Sequence, residues 1–144
     1  MNHDDFFAKV DAGLHKETET DAASRETASK DREFVKQVIT KLIPIAASYE
    51  AKLKERGIDA KVDSSATGIT VTLRYKDGCR SELYVGGLPK SHLIELNTSY
   101  IEDNQTYSAT KNYNSSRWQD GFFEDRLQRL VENFLLYADK HGGI

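Results

Sequence analysis

Residues 58–113 alternate apolar and polar side chains with a period of two, and stretches of helical periodicity flank them on both sides. A chain built this way has to lay helices on a sheet. Each strand has one apolar face, each helix one apolar stripe, and the two bury each other. Within the run, Ile69, Val71, Leu73 and Tyr75 alternate with Thr70, Thr72 and Arg74, and Lys76-Asp77-Gly78 marks a turn. A three-residue loop with Gly78 in the left-handed position pairs Tyr75 with Cys79, Leu73 with Ser81, Val71 with Leu83 and Ile69 with Val85. A two-residue loop would instead set Glu82 opposite Leu73 on the core face, so the three-residue loop is expected. Further strands are expected at 92–100, with Ile94 and Leu96 inward, and at 105–113, with Tyr107 and Ala109 inward. A weaker one is expected at 59–65.

The helical segments have distinct signatures. Phe34, Val38, Leu42, Ile45, Tyr49 and Leu53 recur every three or four residues, with Ser29 or Asp31 as N-cap and Gly57 as C-cap. Pro44 lies inside this pattern and predicts a kink near 40–43 or two abutting helices. Residues 119–141 set Phe123, Leu127, Leu130, Phe134 and Tyr137 on one stripe, with Asp120 as N-cap and Gly142-Gly143 as the stop. Near the start, Phe6, Phe7, Val10 and Leu14 form a short stripe. Residues 15–31 follow it with no apolar side chain larger than alanine, as a linker or a solvated helical turn or two. The expected layout is an amphipathic helix and polar linker over 1–30, then one α+β domain over 31–144. That domain is a two-layer sandwich: an antiparallel sheet of four to five strands, with the long N- and C-terminal helices on one face and the other face open.

Composition narrows the function. At 144 residues the chain can bury a core without disulfides or metal. It has one cysteine, Cys79, so no intrachain disulfide forms. The acidic start is not a signal peptide, and no run reaches the roughly 18 apolar residues of a membrane span, so a cytoplasmic protein with no membrane partner is expected. Asn97, Asn104 and Asn114 each begin an N-x-[ST] tripeptide, read without a secretion signal as strand surface. Net charge is −3, and the basic residues of 34–57 read as one helix's wet face, so nucleic acid is not the expected partner. No motif assigns the chain to a family.

Three surfaces compete as sites. The open sheet face should carry Arg74, Arg80 and Tyr84, joined by Tyr113 and Arg117 from the end of the last strand. Residues 97–116 are rich in Tyr, Asn, Ser and Thr, a mixture suited to recognition but also to any solvated strand. Trp118, the only tryptophan, is either a contact beside Arg117 or a closure of the core near Phe122. These six residues form the expected partner-binding set of a non-catalytic adaptor, chaperone or inhibitor. The first alternative is a ligand or enzymatic pocket between sheet and helices, lined by Tyr49, Tyr75, Tyr107 and Tyr137. The second is single-strand nucleic-acid binding through Arg74, Arg80 and Tyr84. The stripe near the start could also pair two copies of the chain. No catalytic residue, cofactor or metal site is expected. His3, His15, His92 and His141 have no ligand spacing, and Cys79 reads as a structural thiol at a hairpin.

Overall fold

A computed structural model describes residues 3–88 and 93–144, with the side chains of His3 and 13–32 outside the description. The order is α1 (His3–Glu55), β1 (Asp59–Ser64), β2 (Gly68–Arg74), β3 (Arg80–Gly87), β4 (Ile94–Glu102), β5 (Gln105–Tyr113), α2 (Gly121–Leu136) and a 3₁₀ turn (Ala138–His141). The five strands form one antiparallel meander in sequence order, and the fold is α+β with an open sheet.

α1 is one helix: of the two readings of Pro44 the abutting helices do not form, and neither does the N-cap expected at Ser29 or Asp31. It continues through Pro44 rather than splitting there. Pro44 and Thr40 are both exposed, so water can take the Thr40 carbonyl that the missing donor frees. The backbone of 15–31 also lies within α1, so Ser29 and Asp31 are interior positions and not N-caps. The side chains of Leu14, His15, Ser29 and Asp31 lie outside the described residues, as does the whole of His92. At the other end Gly57 takes φ +79°, and Ile58 N–H donates to the Leu53 carbonyl, closing the helix as expected.

The β2–β3 hairpin has the anticipated register: Ile69 opposite Val85, Val71 opposite Leu83 and Leu73 opposite Ser81. Tyr75 N–H donates to the Cys79 carbonyl at 2.8 Å, and Gly78 sits at φ +92°. Parity then does the rest. Ile69, Val71, Leu73, Leu83, Val85, Ile94 and Leu96 point under the helices and are buried. Val35, Val38, Ile39, Leu42, Ala46 and Leu53 of α1 meet them, with Phe123, Leu127, Leu130 and Phe134 of α2. Each large aliphatic or aromatic side chain so buried contributes about 1.5–3 kcal/mol.

The cover stops short of the last strand. Tyr107 and Ala109 stand opposite Tyr100 and Thr98, on the helix side, yet β5 is exposed from Gln105 to Asn112, and Tyr107 is 49% exposed. Their expected burial fails because two packed helices cover roughly 20 Å of sheet, about four strands' width. On the opposite edge the Glu50 carboxylate accepts the Val62 N–H of β1. Asp120 precedes α2 but makes no side-chain cap. Its Oδ1 instead accepts the Trp118 indole N–H at 2.9 Å.

Candidate functional site

The open face is a ladder of polar rows. One row runs Thr70, Tyr84, Asn97, Thr110 across four strands; the next runs Thr72, Glu82, Ser99, Ser108. Arg74 and Arg80 stand opposite each other at the hairpin end. Arg80 Nε lies 3.2 Å from Glu82 Oε1, and the Ser99 and Ser108 hydroxyls are 3.3 Å apart. Tyr84 is not a free arm. Its ring covers Gly68 and Gly86, where a Cβ would crowd it at the first and collide with it at the second, and burial, followed by the nearby Glu95 carboxylate, pushes its hydroxyl up. Asn97 Oδ1 is buried with no partner among the described residues.

Arg74, Arg80 and Tyr84 therefore share one surface, as their parity predicts. Tyr113 and Trp118 do not join them. Tyr113 faces the helices and packs with Phe122 at 4.9 Å between ring centroids, and Trp118 meets both rings edge-on. This aromatic group lies against the core, so Trp118 takes the core-closing role of its two readings. Arg117 is exposed in the turn before α2.

β5 adds what parity alone does not reveal. It is an edge strand exposed on both faces for most of its length. Glu102 pairs with Gln105 across the Asp103-Asn104 turn, which makes that pair hydrogen-bonded. Counting outward by twos, Thr106, Ser108, Thr110 and Asn112 turn their N–H and C=O groups to the free edge.

The four tyrosines of the pocket reading reach separate partners. The Tyr75 hydroxyl donates to the Phe134 carbonyl at 2.8 Å, and its ring stacks on Phe134. Burial pushes that hydroxyl up to about 12. Tyr49 donates to Glu124 and accepts from Gln128; Tyr107 donates to Gln105. Tyr137 lies beside Glu102, whose negative charge pushes its hydroxyl up. An open groove of about 460 Å³ between α1 and α2 is lined by Pro44, Ile45, Ser48, Tyr49, Lys52 and Glu124, with Tyr49 alone of the four.

At the β2–β3 turn, Asp77, Cys79 and His141 converge, their potential ligand atoms all within 4.8 Å of one another. Asp77 Oδ1 accepts the Cys79 N–H, and Oδ2 lies 2.7 Å from Nδ1 of the buried His141. The Tyr75 ring stacks on the imidazole, whose Nε2 is buried with no partner among the described residues. The Cys79 N–H, more than the imidazole, holds the Asp77 carboxyl below its usual range. Burial, then the Asp77 carboxylate, pushes the Cys79 thiol up, the opposite of an activated nucleophile. Sequence reading misses this group because 64 residues separate Asp77 from His141.

Among the described residues no helix is long and apolar enough to cross a membrane. No protein-family model, curated protein or solved structure matches the chain.

Proposed function

We propose that the chain is a non-catalytic protein-binding module that takes an extended segment of its partner along β5, beside the polar face of Arg74, Arg80 and Tyr84. The single observation behind this reading is the exposure of β5 on both faces together with its unpaired edge. Such an edge supplies backbone hydrogen bonds for affinity, and alternate side chains supply specificity. A long bare edge is otherwise a hazard that monomers blunt. Lys111 is the one charge in the strand, and it stands on the helix side opposite Leu96, leaving the polar rows uncharged at β5. The reading places the protein in the cytoplasm, where Cys79 stays reduced.

Thr110→Pro tests it. Proline there removes an N–H that faces the free edge and spares the β4 ladder. Affinity capture from source-cell lysate, read by mass spectrometry, should recover a stoichiometric protein with the wild type and lose it with Thr110→Pro at unchanged melting temperature. Equal capture by both would sink edge recognition. Arg80→Ala should weaken the same capture less severely.

A further inference from the structure

We propose that Asp77, Cys79 and His141 form a binding site for a thiophilic divalent cation of the Zn²⁺ type, which ties the end of the chain to the β2–β3 turn. The three side chains supply a carboxylate oxygen, a sulfur and an imidazole nitrogen within a 4.8 Å span. A tetrahedral Zn²⁺ has ligands at about 2.0–2.3 Å, hence about 3.3–3.7 Å from one another. The present spacings therefore change by at most about 1.5 Å: the 2.7 Å pair of Asp77 Oδ2 and His141 Nδ1 opens, and the span of up to 4.8 Å closes. Thiolate and imidazole together select Zn²⁺ or Co²⁺ over Mg²⁺ and Ca²⁺. Three protein ligands leave a fourth position for water, and the exposed Asp77 puts that position at the surface.

Two further observations support the site. The first is that its backbone is already held. Lys76 N–H donates to the Gly143 carbonyl and Asp77 N–H to the His141 carbonyl, both at 3.2 Å, so turn and tail are registered without an ion. Gly78 and Gly142, both at positive φ, set the chain direction on either side of the ligands. The second is steric. Tyr75, itself stacked on Phe134, lies flat against the imidazole at 4.5 Å between ring centroids, leaving that ring little freedom to turn away.

The test is a titration of chelator-treated full-length protein, kept reduced with a phosphine, with Co²⁺ followed by absorption. Uptake of one Co²⁺ per chain with a sulfur-to-cobalt charge-transfer band, displaced by Zn²⁺, is the expected result. Cys79→Ser should abolish the band. Asp77→Asn, whose amide oxygen still accepts the Cys79 N–H, should weaken Zn²⁺ binding at least tenfold while keeping the fold, as judged by circular dichroism. Saturating Zn²⁺ should raise the melting temperature of the wild type and leave that of Cys79→Ser unmoved. Absence of stoichiometric uptake, or equal Zn²⁺ affinity in wild type and Cys79→Ser, overturns the proposal. Neither result bears on recognition along β5.

Discussion

Single residues carry sharp consequences here, and two can be tested directly. Tyr75 is buried, and its hydroxyl is pushed up to about 12 from the usual 10.0. Unfolded chains ionise first as pH rises, so the stability contributed by the neutral phenol is whole below pH 10 and lost as pH climbs toward 12. The loss amounts to roughly 3 kcal/mol. Tyr75→Phe should flatten this alkaline slope in denaturant melts run at stepped pH, even if it lowers stability at neutral pH. Gly86 is the second case. A Cβ there would collide with the Tyr84 hydroxyl and sit 2.9 Å from the Thr67 carbonyl oxygen. Gly86→Ala should cost about 1–3 kcal/mol in urea melts. Adding Tyr84→Ala should recover only part of it, because the backbone oxygen remains.

Elements reveal which sequence signals outrank others. Pro44 has the residue type of a helix breaker, yet α1 passes through it, because residues on both sides bury the same stripe: Val35, Val38, Ile39 and Leu42 before it, Ala46 and Leu53 after. Packing outweighs one lost hydrogen bond on a wet side. Pro44→Ala should therefore stabilise the protein, by up to about 3 kcal/mol, visible as a higher urea midpoint. The β2–β3 hairpin is the opposite case, where local chemistry suffices. Gly78 at φ +92° permits the three-residue loop, and core parity admits one register. Gly78→Ala should destabilise by about 1 kcal/mol, since alanine meets no clash there but must take a left-handed conformation.

Across the whole molecule, two helices cover a sheet that is one strand wider than they reach. Leu130→Ala, at the centre of the shared core, should cost about 2–5 kcal/mol in chemical denaturation, whereas Tyr107→Ala on the uncovered strand should stay near zero. The α+β class, the strand positions from 59 to 113, the hairpin register and the open-face placement of Arg74, Arg80 and Tyr84 were all legible in the chain. Each rests on a period of two or 3.6, or on a turn residue, and such signals act over a few positions. The exposure of Tyr107, the turning of Tyr113 toward Phe122, the choice between the two readings of Trp118, and the meeting of Asp77 and Cys79 with His141 were decided only by tertiary structure. Parity states which way a side chain points but not whether a helix lies above it. Nor can local patterns bring together groups 64 residues apart, which meet because the closing 3₁₀ turn docks on the β2–β3 turn.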